Sequence, residues 1–113
     1  MEDRRRASWI SGSVLVRGNV VSTEDLLIDG QVQGTIDLGD HVLTIGSSAS
    51  VVADLDAKVV IISGKVVGSV MGSARVELKA TASVDGDVTS PNFVMEEGAT
   101  LKGRVEAGKK QIL

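Results

Sequence analysis

The stretch Ile62-Ser-Gly-Lys-Val-Val-Gly-Ser-Val70 decides the fold, because a near copy stands upstream as Ile28-Asp-Gly-Gln-Val-Gln-Gly-Thr-Ile36. Both read apolar-x-Gly-x-Val-x-Gly-x-apolar. Their shared centre, an aliphatic residue, then Gly or Ala, then another aliphatic at every second position, recurs along the chain. It is found at Val16-Gly18-Val20, Val32-Gly34-Ile36, Val51-Ala53-Leu55, Val66-Gly68-Val70, Val84-Gly86-Val88 and Leu101-Gly103-Val105. The steps between copies are 16, 19, 15, 18 and 17 residues, a mean of 17. A fixed period of this size marks an array of stacked supersecondary units.

Around each triplet the apolar residues alternate, which is the period of a strand with one buried side. A further apolar patch closes each repeat: Leu26-Leu27-Ile28, Val42 to Ile45, Val59 to Ile62, Val76 to Leu78, and Phe93 to Met95. The last apolar residues of these patches, Ile28, Ile45, Ile62, Leu78 and Met95, are spaced 17, 17, 16 and 17. Gly, Ser, Asp, Asn and Thr separate the patches, as turns require. Three short strands per lap of about 17 residues predict an all-β, single-domain, three-sided parallel β-helix of about six coils. At a strand spacing of about 4.8 Å, such a rod would be roughly 29 Å long. The connectors come in two lengths. Ile28 to Val32 and Ile62 to Val66 are four residues apart, whereas Ile45 to Val51, Leu78 to Val84 and Met95 to Leu101 are six, predicting wider corners.

Composition agrees with a narrow core. Hydrophobic residues make up 42% of the 113, yet aromatics only 2%, namely Trp9 and Phe93. Rings bury the most area per residue and an ordinary core recruits several. Thirteen glycines and a single proline point to many tight turns. The net charge of -3 is interspersed along the chain and offers no basic face for nucleic acid. With no cysteine, a disulfide framework and a thiolate metal site are excluded. An intracellular setting is expected. No apolar run approaches the roughly 20 residues of a membrane span, and no secretory leader is expected at the start.

The repeat bounds the domain at residues 10–105, with an N-terminal tail over 1–9 and a short C-terminal tail over 106–113. In the first tail Arg4, Arg5 and Arg6 precede Trp9 and Ile10, a candidate contact for an anionic membrane surface.

Catalytic chemistry finds little support. The lone histidine, His41, stands in a turn, and the Ser and Asp around it are what turns require. The pairs Asp54/Asp56 and Asp85/Asp87 read as solvent-facing, and no metal site is expected. Gly103-Arg-Val-Glu-Ala-Gly108-Lys109 follows a phosphate loop for seven positions, but Lys110 stands where a Mg²⁺-binding hydroxyl is needed. No nucleotide or other cofactor is expected. A left-handed β-helix acyltransferase is the enzymatic alternative, since Ile45-Gly-Ser-Ser-Ala-Ser-Val51 resembles a hexapeptide repeat and His41 would be its base. Against it, the hexapeptide phase does not persist and the lap is short of 18.

The ends of such a rod matter more. Each would present a lap of unpaired backbone groups over an open apolar core, and such edges template pairing. No capping helix or polar lid is legible at either end, which predicts end-to-end self-assembly. The candidate interface residues are Val14, Val16 and Val20 at the N-terminal end, and Phe93, Met95, Leu101 and Val105 at the C-terminal end. Phe93 is either an interface anchor or a plug for a monomeric adaptor.

Together, Ile28 to Ile36, Ile62 to Val70 and Val84-Asp-Gly-Asp-Val88 resemble the bactofilins, bacterial polymer-forming cytoskeletal proteins. The likeness runs over about residues 11–105. It implies a right-handed β-helix and nucleotide-independent, non-polar filaments in which like ends meet. It also implies a cytoplasmic protein, peripheral at the inner face of the cell membrane through its N-terminal tail. Scaffolding of cell-wall enzymes in cell shape or polarity would follow. The family offers no catalytic residues to carry over.

Overall fold

The computed structural model describes residues 7–10, 15–21 and 24–112, with side chains described at 15–21 and 24–106. Alternation along the sequence becomes strand throughout. The first half holds β1 (Ala7–Ile10), β2 (Leu15–Val21), β3 (Asp25–Ile28), β4 (Gln31–Asp37), β5 (Val42–Ile45) and β6 (Ser50–Ile62). The second half holds β7 (Lys65–Val67), β8 (Val70–Leu78), β9 (Ser83–Asp85), β10 (Val88–Met95), β11 (Thr100–Lys102) and β12 (Val105–Ile112). Every pairing is parallel, so each lap of chain lies in register on the one before it.

The ladders define three faces of a β-solenoid. On the first, one register column joins Ile10, Ile28, Ile45, Ile62, Leu78, Met95 and Ile112. On the second, the column is Val16, Val32, Val51, Val66, Val84 and Leu101. On the third it is Val20, Ile36, Leu55, Val70, Val88 and Val105. The recurrent triplet is thus the corner between second and third faces, and the closing patch is the first face. Interior members of these columns are fully buried, Val32, Val51, Val66, Ile45 and Ile62 all at 0% exposure, and the core is one continuous aliphatic stack. The protein measures 40 × 24 × 23 Å.

Two boundaries differ from the repeat-based expectation. Residues 7–9, expected in the tail, pair as part of β1 with Asp25, Leu26 and Leu27. Residues 106–112 continue β12 along β10, with Ile112 opposite Met95. The triplet drops out of these segments, but a strand lying on an existing ladder needs only its backbone groups to pair.

Corner chemistry explains the glycines and shows how the wider connectors close. Gly34 and Gly68 both have φ of +132, and the corner glycines stack one on another. A Cβ built on Gly68 would collide with the carbonyl oxygen of Ala53 in the lap below. At positive φ over the carbonyl of the lap below there is no room for a side chain; Ala53, at the same corner, does not have positive φ. The wide corners are β-turns, closed by Ala49 N–H to Gly46 O at 3.0 Å, Ala82 N–H to Lys79 O at 2.8 Å and Ala99 N–H to Glu96 O at 3.1 Å. Ala49 and Ala82 are buried, so each wide turn tucks a methyl beneath itself. The short corner at Ser63-Gly64 crosses the wide one with no room for a side chain, since a Cβ on Gly64 would strike Gly46 O and lie 2.8 Å from Ala49 O.

Candidate functional site at the two ends of the rod

The ladders stop at four strands. Among the described residues β1 pairs only with β3, and β2 only with β4; at the other end β11 pairs only with β9, and β12 only with β10. Among the described residues each end therefore leaves a lap of strand edges unpaired, and strand edges of this kind are templates for a further strand. Beneath those edges the apolar columns end open. Val16, Val20, Leu101 and Val105 pack on the core but are only partly buried, unlike their equivalents one lap in.

The expected interface residues separate on this geometry. Val16 and Val20 lie in the first rung of the second and third faces, and Leu101 and Val105 in the last. Met95 is one rung from the end of its face, opposite Ile112. Phe93 does not lie on the end face. It stands in register between Val76 and Lys110 and is 2% exposed, so it is a core residue one lap in. The C-terminal extension of β12 accounts for this, since it adds the rung that the repeat pattern does not show. Val14, Arg4, Arg5 and Arg6 lie outside the described residues, as do the side chains of Trp9 and Ile10.

Sequence reading passed over two residues here. Leu15 and Val21 point outward from the first rung and are 49% and 75% exposed. Their signal was the loss of alternation in Val14-Leu15-Val16 and Val20-Val21, where consecutive apolar residues mean that both sides of the strand are apolar.

The polar groups along the sides are held in corner and ladder roles. His41 Nδ1 lies 3.6 Å from Asp25 Oδ1, and that same oxygen accepts the Val42 N–H at 2.9 Å. Among the described residues no group of three His, Cys, Asp or Glu could hold a metal ion. Arg75, Glu77, Lys79 and Glu96 form a chain of ion pairs, at 2.8 Å for Arg75–Glu77, 3.1 Å for Lys79–Glu77 and 3.4 Å for Lys79–Glu96. The Glu77 carboxylate, then Glu96, holds the Lys79 ammonium above its ordinary pKa. A raised folded value means the pairing is fully present at neutral pH and lost as pH climbs through the raised value, above roughly 10.4. Thermal melts are therefore expected to be flat from neutral to mildly alkaline pH as far as Lys79 is concerned. A small decline should begin only above that point, and Glu77→Gln should weaken it.

With the geometry in place, the comparisons assign the chain. A solenoid of parallel strands with open ends is the architecture of a polymer-forming protein, and the family model for Bactofilin, described as polymer-forming cytoskeletal, matches residues 8–106. The chain belongs to the bactofilin family. It is 36% identical over 102 residues to bactofilin BacO of Myxococcus xanthus, covering 90% of this chain and 80% of that one. To bactofilin BacP of the same organism it is 33% identical over 99 residues, spanning 88% of this chain but 41% of the relative. Among solved structures it is similar to the cytoskeletal bactofilin BacA determined by solid-state NMR, with a TM-score of 0.81 and 35% identity, covering 91% and 97% of the two chains.

Proposed function

We propose that this protein is a cytoskeletal scaffold that assembles end to end, without nucleotide, into filaments in which like ends meet. The observation that carries the reading is the pair of open laps: β1 and β2 at one end, β11 and β12 at the other, each among the described residues with an unpaired edge over a half-covered aliphatic column. Closing such an end gains ladder hydrogen bonds, each about 1 kcal/mol net, and apolar burial at roughly 25 cal/mol per Å². Neither contribution needs a nucleotide. In the cell the filament would be cytoplasmic and would support shape, polarity or the placement of cell-wall enzymes. Arg4, Arg5 and Arg6, with Trp9 and Ile10, would hold it at the inner face of the membrane.

Negative-stain electron microscopy of the purified protein, with no nucleotide or metal, tests the assembly. Thin filaments one solenoid wide are expected, with two-fold axes perpendicular to the filament. Leu101→Glu should leave the strand signal in circular dichroism and reduce filaments to short particles. Discrete wild-type particles even at high concentration would sink the reading in favour of a monomeric adaptor. Co-sedimentation with anionic vesicles, lost on deleting residues 1–6, tests the membrane role.

A further inference from the structure

The outer side of the third face is the acidic side of the rod. Among the described residues Asp37, Asp54, Asp56, Asp87 and Glu106 are exposed there, against Arg104 on the last rung and Lys58 at the border with the first face. Three of the acids gather toward the N-terminal end. Asp37 and Asp56 are ladder partners one rung apart, about 4.8 Å, and Asp54 lies two residues along the same strand. Like charges set directly opposite one another in a sheet repel. Asp37 Oδ1 accepts the Gly39 N–H at 3.1 Å and Asp54 Oδ1 the Ser69 N–H at 3.3 Å. Among the described residues no Lys or Arg pairs with any of the three. With Ser69 and Met71 they line a shallow recess of about 370 Å³, whose Met71 wall is 50% exposed. Carboxylates beside an aliphatic wall fit a cation carried on a methylene stem.

The point where the chain enters the rod names that cation. Ala7 opens β1 opposite Asp25, where the chain passes from the third face to the first. The rungs entered after Asp37 and Asp56 open at Val42 and Val59, two and three rungs above Ala7, or about 10 and 14 Å. Arg4, Arg5 and Arg6 immediately precede Ala7 and lie outside the described residues. Three extended residues span about 10 Å before the side chain is counted, so the run reaches both rungs. Guanidinium is the cation whose geometry matches carboxylates. Exposed ion pairs are individually weak, but a short tether supplies a high effective concentration.

We propose that Arg4, Arg5 and Arg6 dock on Asp37, Asp54 and Asp56 of the same chain, so that an anionic membrane has to displace them before it can hold the rod. The competition rests on the membrane contact proposed above; the docking does not.

Trypsin cuts after accessible arginine, so brief digestion of the full chain, read by intact mass, reports docking with no membrane present. Arg4 to Arg6 should be cut about tenfold more slowly in the wild type than in Asp37→Asn/Asp54→Asn/Asp56→Asn, the effect of two or three exposed pairs acting together. Asparagine keeps the oxygens that accept from Gly39 and Ser69, and circular dichroism should be unchanged. Asp85→Asn/Asp87→Asn/Glu97→Gln removes the same charge further up the rod and should cut like the wild type. Equal cutting of the wild type and the first variant would overturn the docking, whether both are fast or both slow. Phosphatidylglycerol vesicles should bind the first variant about fivefold more than the second, since only the first frees the arginines. Equal vesicle binding would overturn the competition. No binding by any form would overturn it together with the membrane reading, and the digestion would still decide the docking.

Discussion

Gly68→Val is expected to unfold the rod. Gly68 has φ of +132, and a Cβ there would collide with the Ala53 carbonyl of the lap beneath and sit 2.9 Å from its carbon. A side chain in this backbone region costs about 1–3 kcal/mol from strain. The collision adds to it, because the obstacle is backbone in a hydrogen-bonded ladder and cannot move without opening that ladder. Together the loss exceeds roughly 3 kcal/mol, a large share of a typical domain's 5–15. A fall in melting temperature on the order of 15 °C follows for a chain of this size, read by far-UV circular dichroism. Gly86 and Gly103, with φ of +147 and +131 over the carbonyls below them, should behave alike. Ala53 is the control. It holds the same column position, but no residue other than glycine has positive φ among the described residues. Ala53→Gly should cost only about 1 kcal/mol, from added backbone freedom and a lost methyl. An unchanged melt for Gly68→Val would show that corner stacking does not limit stability.

Phe93→Ala should open the C-terminal laps. The ring is the largest fully buried side chain, at 2% exposure between Val76 and Lys110 in the ladder. Removing it leaves a cavity that neighbouring strands cannot close, and losses of about 3–5 kcal/mol are usual for such a change. Hydrogen exchange is expected to lose protection in β10, β11 and β12 while β4 and β6 stay protected, since a solenoid's laps contact only their neighbours. Phe93→Leu should cost less than about 1.5 kcal/mol. Phe93→Arg would bury a charge in the core and act as a folding lesion, not as a selective breaker of end contacts. Uniform protection in Phe93→Ala would mean that the ring is dispensable.

How legible the fold was depended on what repeats. Stacked laps place equivalent residues over one another, so position in the sequence and position in the column coincide. Val16, Val32, Val51, Val66, Val84 and Leu101 could be aligned by eye and do form one register column. The wide and narrow corners were visible as lengths, but the need for glycine at position 64 was not, because a side chain there would strike Gly46 and Ala49 of a different lap. Consecutive apolar residues such as Val59 to Ile62 read as strand, yet which of them face outward depends on register with the laps on either side.

The amino-acid sequence by itself determined the period, the three-strand lap, the aliphatic core and, through the resemblance, the bactofilin family. Alternation and turn chemistry are local, and a lap repeated six times states them six times over. Tertiary structure alone decided where the rod ends. β12 continues to Ile112 without the repeat motif, because a strand pairs through its backbone and leaves no requirement on side chains. That added rung turns Phe93 from a candidate end residue into core, whereas Val16, Val20, Leu101 and Val105 stay only partly buried at the two ends.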